Sequence, residues 1–182
     1  MNDLQRIYSI DTHRFKYVWN YENVHVPVTI RHPETGGLIV VSIHIPYGML
    51  SDGASGVRDL DITAFFPHDR LYISPWVTTQ CGNRIRLNKK DCDLVYCQLL
   101  AISGHEFAAW FRFRGLYGWR IGRWTFPLSA RMSQHTWDDY RMKEEAEGED
   151  WWIKDHTVPH ALSEWEFPTM FSKDAVFIGK SK

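Results

Sequence analysis

The chain has 182 residues, 44% hydrophobic, 24% charged and 15% aromatic, with nine Trp; that suits one domain with a substantial core and excludes an intrinsically disordered chain. A formal net charge of -1 leaves no basic excess to attract nucleic acid. Three cysteines (Cys81, Cys92 and Cys97) with no Cys-x-x-Cys spacing argue against a disulfide framework or a zinc ribbon.

Residues 1–10 are mixed and polar, without the apolar run of a signal peptide, and no window has the length of a membrane span. Cytoplasmic synthesis and no membrane partner are therefore expected. Residues 14–20 (RFKYVWN) are a candidate strand. Val24, Val26, Val28 and Ile30 alternate with His25, Pro27 and Thr29, and Ile39, Val41, Ile43 and Ile45 alternate with Val40, Ser42 and His44. Period-two alternation of β-branched residues predicts strands. Between them residues 31–37 (RHPETGG) are turn chemistry, so the pair reads as a β-hairpin, with Pro27 putting its strand at a sheet edge. Residues 46–56, with three Gly and one Pro, predict a tight, shaped loop.

Helices follow. Residues 65–73 predict a short one with Pro67 near its first turn, stopped by Pro75. Asn88 is a strong N-cap with Asp91 three residues on, and the run 92–102 is apolar on nearly all sides, which predicts a central buried helix ended by Ser103-Gly104. A third helix is expected over 105–114, before Gly115, Gly118 and Gly122 interrupt an aromatic, basic stretch. From Phe126 the texture changes. Residues 138–150 are charged and read as a solvated helix or loop, and Trp151, Trp152, Trp165, Phe167, Met170 and Phe171 are scattered anchors. The expected fold is α+β: an N-terminal antiparallel hairpin or small sheet packed on a central cluster of about three helices, with an aromatic-rich C-terminal appendage. Residues 1–124 form the core and 125–182 an extension that wraps the same domain. Most Trp are expected in the core, because they sit inside patterned segments.

Three motifs in order carry a family likeness. Ser51-Asp52-Gly53-Ala54-Ser55 resembles the DGAS turn of a small bacteriophage and prophage family of unknown function. His68-Asp69-Arg70-Leu71-Tyr72 matches that family's His-Asp-x-Leu-Tyr. Asp93-Leu94-Val95-Tyr96 matches its Asp that opens a helix with an aromatic three residues later, and Gly118-Trp119 fits its glycine–aromatic ending loosely. Gly56-Val57-Arg58 stand where the family continues with Val-Pro and a Trp, so the wall after the turn differs. The likeness covers the middle two-thirds of the chain, and the part beyond Trp124 is an addition. It implies a phage setting, with host cytoplasm at synthesis, a place in the virion, and other phage proteins or self-association as partners. It implies no particular reaction.

The chemistry-bearing residues are Asp52 on the Gly-rich loop and His68, Asp69 and Asp93 on helices. If they converge, Asp52, His68 and Asp93 make a mixed N/O ligand set for a divalent metal, and His68, Asp69 and Asp93 the catalytic groups of a metal-dependent hydrolase. Neighbouring helical residues differ by about 100° in direction, so His68 and Asp69 do not both face one ion. The competing expectation is structural. Asp91 is explained by capping, Asp93 is not, and a carboxylate entering an apolar helix face needs a partner such as His68, Arg70 or Arg86. Asp93 with His68 would then be a polar clamp between two core helices, in a virion or assembly component. Arg112, Arg114, Arg120 and Arg123, interleaved with aromatics, are candidate binding residues whose stems could equally cover rings. Ser55 lacks the G-x-S-x-G pattern, and His105-Glu106 lacks a second His. His156 and His160 have ligand spacing, but Pro159 between them argues against a helix, so both are expected at the surface. Cys81 is expected in a loop.

Overall fold

The hairpin sets the frame. In the computed structural model, which describes residues 7–9, 17–19, 23–52, 61–117, 127–157 and 176–178, β3 (Val24–Arg31) and β4 (Leu38–Ile45) pair antiparallel from Val24↔Ile45 to Arg31↔Leu38. Val28, Ile30, Val41, Ile43 and Ile45 point into the core while His25, Pro27 and Thr29 face outward, as the alternation requires. The connection is closed by Gly36, whose φ of 72° lies in the left-handed region.

Among the described residues two four-stranded sheets form. One has the order β3-β4-β6-β7, with β6 spanning Trp76–Thr79 and β7 Arg84–Arg86. β3 is its edge, consistent with Pro27, which donates no ladder hydrogen bond. The other has the order β5-β2-β1-β8, built from β1 (Ile7–Ser9), β2 (Tyr17–Trp19), β5 (Leu50–Ser51) and β8 (Val176–Ile178). The candidate strand near residue 17 therefore pairs with β1 and β5 and not with the hairpin.

α1 (Ile62–Ile73) starts three residues earlier than expected, because the side chain of Asp61 accepts from the Thr63 amide at 2.7 Å and caps it. Pro67 consequently lies inside the helix. α2 (Lys89–Ile102) begins as predicted, with the Asn88 side chain accepting from the Asp91 amide at 3.0 Å. α3 (Glu106–Tyr117) packs on α2. Residues 138–147 of the charged stretch belong to a long helix, α4 (Pro127–Glu147), which packs on α1 and on the short α5 (Trp151–His156).

α1 and α2 pack against each other, α1 against β4 and α2 against β3. The core between them is made by Phe65, Phe66 and Leu71 of α1, Val95, Tyr96 and Leu100 of α2, and the inward residues of the hairpin, each at most 6% exposed. Each such side chain contributes about 1.5–3 kcal/mol by leaving water. Trp19, Trp137, Trp151 and Trp152 belong to the same cluster, so among the described residues four Trp are core residues. The α+β class holds.

Candidate functional site

His68 and Tyr72 lie one turn apart on α1; Lys89 and Asp93 lie one turn apart on α2. Packing of the two helices brings these four together, and β5 supplies Ser51. His68 Nε2 is 3.2 Å from Asp93 Oδ1, and His68 Nδ1 is 3.5 Å from Asp69 Oδ1. Tyr72 donates its hydroxyl to Asp93 Oδ1 at 2.6 Å, and Lys89 Nζ donates to Asp93 Oδ2 at 2.9 Å. Ser51 donates its hydroxyl to Asp69 Oδ2. The imidazole lies between the rings of Tyr72 and Tyr96, with centroids 4.4 and 4.8 Å away.

The charges balance: two carboxylates meet one ammonium and one imidazole that gains from being protonated. Burial by itself would push the His68 pKa down. The hydrogen bonds and charges of Asp69 and Asp93 together outweigh it and hold the pKa above its ordinary value of 6.5. The cluster is closed in: the side chains of Asp93, His68 and Lys89 are 2%, 10% and 13% exposed.

Three of the four sequence candidates, His68, Asp69 and Asp93, thus meet. Asp52 is exposed, and its neighbour Ser51 makes the contact to Asp69. The donor set does not fit a divalent cation. Both ring nitrogens of His68 face carboxylates, and an ammonium sits on the Asp93 oxygen a cation would need. Among the described residues no group of three or more His, Cys, Asp or Glu is arranged to hold a metal. His68 is equally ill placed as a general base, since both of its nitrogens face carboxylates and neither is free for a substrate proton.

Arg112, half-buried on α3, stacks over the Tyr96 ring at 4.4 Å. Its contact is with the ring that covers His68, in keeping with an arginine stem that shields an aromatic. The side chain of Arg114, and Arg120 and Arg123, lie outside the described residues, as do Gly53–Ser55, Gly118-Trp119, His160 and the anchors from Trp165 to Phe171.

The surface expectation for His156 is overturned. It is 1% exposed and is met edge-on by Tyr140 and Trp151, with centroids at 5.5 and 5.4 Å. α5 ends at His156 itself, three residues before Pro159, so the proline never enters the helix.

A second polar cluster was not foreseen. Arg141 on α4 donates through Nη2 to the carbonyls of Tyr72 and Ile73 at 2.8 and 2.7 Å, satisfying the end of α1. Glu144, buried one turn on, accepts from Trp76 Nε1 at 3.0 Å and pairs with Arg86 and Arg141 at 2.9 Å each. These contacts pin α4 to α1, β6 and β7. No family model, curated protein or solved structure matches the chain.

Proposed function

We propose that the chain is a binding and assembly component without catalytic turnover, in which His68, Asp69, Asp93, Lys89 and Tyr72 clamp α1 to α2. One observation carries this: both nitrogens of His68 and both oxygens of Asp93 are already engaged inside a buried, charge-balanced cluster. A partner surface is supported by Ile102 and Phe107, 74% and 77% exposed at the α2–α3 corner, with Trp110 and Phe111 about half exposed beside Phe107. Large rings at the surface are what interfaces use as anchors. The setting in a bacteriophage, with other phage proteins or a second copy as partner, rests on the likeness of the DGAS, His-Asp-x-Leu-Tyr and Asp-x-x-Tyr segments. A metal-dependent hydrolase built on the same residues has the weaker support, for the donor-set reason given above.

Two experiments test the proposal. Phe107→Ser with Trp110→Ser should leave the far-ultraviolet spectrum and melting behaviour near wild type while lowering self-association in sedimentation equilibrium or co-purification with particle proteins. His68→Gln should lower stability. If His68→Gln instead kept wild-type stability and abolished a metal-dependent hydrolytic activity, the proposal would be wrong.

A further inference from the structure

A cavity of about 510 Å³, lined by none of the clamp residues, opens where the end of α1 meets β4, β7 and α5. That size is typical of small-molecule sites. Tyr47, Pro46, Trp152 and Ile153 supply apolar wall, while Arg70, Arg84, His44, Asn23 and Ser74 bring polar groups to it.

Arg70 is the unusual feature. It is 8% exposed, yet among the described residues no carboxylate lies within ion-pair distance of it. Its guanidinium lies over the Trp152 ring at 4.5 Å, Nη1 donates to the Ser74 carbonyl at 2.7 Å, and the buried Nε has no hydrogen-bond partner. Removing a guanidinium from water is costly unless a counter-charge compensates. Burial, and then the charge of Arg84, hold its pKa down at about 10, with Asp150 opposing. Arg84 is different: it has its own partner, Glu149, at 2.7 Å. The edge of Arg70 that carries Nε is the one that presents two parallel N–H donors to a planar oxyanion.

We propose that this cavity binds a small organic carboxylate, its carboxylate seated on the Nε edge of Arg70 and its body against Tyr47 and Ile153. Glu149 and Asp150 also line the cavity, and their charges favour a singly charged head over a dianionic phosphate. They also disfavour a polyanion.

The test titrates the full chain with sodium benzoate, with inorganic phosphate, and with neutral benzyl alcohol, at constant ionic strength. Arg70 Nε–H and the Trp152 indole are followed by nuclear magnetic resonance. Benzoate should shift both resonances saturably, benzyl alcohol should not, and Arg70→Met should weaken benzoate at least tenfold. Saturation by phosphate but not benzoate overturns the assignment of a carboxylate. Absence of any saturable shift in the wild-type protein overturns the site, whether or not Arg70→Met folds. Undiminished binding in a folded Arg70→Met also overturns it.

Discussion

Replacing Asp93 by Asn removes one negative charge from a cluster in which everything else is held. Asp93 is 2% exposed and accepts from Tyr72, Lys89 and His68. The amide keeps one acceptor oxygen, which at the Oδ1 position still serves Tyr72 and His68, but its NH2 then faces the ammonium of Lys89, and the charge that held both cations is gone. A hydrogen bond to a charged group is worth about 1.5–3 kcal/mol, and breaking a buried pair from one side costs about 3–5 kcal/mol. Lys89, at 13% exposed, lies near enough to solvent to recover part of its hydration. The expected loss is therefore about 3 kcal/mol, at the lower end of that range. For a chain of this length about 3 kcal/mol lowers the melting temperature by about 6–12 °C. Asp69→Asn, which touches only Ser51 and His68 among the contacts above and is 15% exposed, should cost about 1–2 kcal/mol. Differential scanning calorimetry of the three proteins side by side reads both values. An Asp93→Asn melting temperature within about 2 °C of wild type, in a protein with unchanged helix content, would refute the clamp.

The pH dependence follows from His68. Its pKa is raised in the folded protein, so its contribution to stability is fully present below the ordinary value of 6.5 and is lost as pH rises through the folded value. Melting temperatures should therefore fall as pH climbs above 6.5, and His68→Gln should flatten that fall; parallel slopes in the two proteins would contradict it. Glu144→Gln should cost about 2–3 kcal/mol by weakening the bonds to Arg86 and Arg141, and should speed amide hydrogen exchange in α4 before that in β3 and β4; uniform acceleration would argue against α4 as a separately pinned element. Burial raises the Cys92 thiol well above its usual range and the Cys97 thiol to about 11, while Cys81 is exposed. A thiol reagent should therefore titrate one cysteine quickly in the native protein and all three in denaturant; fast reaction of a second native thiol would show α2 less tightly packed than described.

Much of this was legible in the chain. The hairpin showed because eight-residue strands give alternation room to repeat, and Pro27 marked the edge. Asn88 marked the start of α2 because capping is a local interaction. Asp93 drew notice for a physical reason: it is a carboxylate in an apolar helix with no capping duty, and its partner is indeed His68 on α1. Other features were hidden. β1, β6, β7 and β8 have three or four residues each, too few for a period to register. Lys89 and Tyr72, which complete the cluster, carry no local signal that distinguishes them from surface residues. The charged stretch 138–150 reads as solvated, yet Arg141 and Glu144 turn inward because the carbonyls ending α1 and the Trp76 indole need partners. That demand comes from elsewhere in the chain and leaves no mark on the helix's own pattern. The burial of His156 escapes the Pro159 rule because α5 ends at His156, before the proline can act on it.

The most direct test is the protonation state of His68, observed through its ring nitrogens by nuclear magnetic resonance at pH 6.5, the ordinary midpoint of an imidazole. With both nitrogens spent on Asp69 and Asp93, the account predicts an imidazolium: two protonated nitrogens, both N–H groups exchanging slowly with water, and no change on adding zinc or manganese. A neutral ring with one bare nitrogen, or a nitrogen shifted by stoichiometric metal, would contradict it.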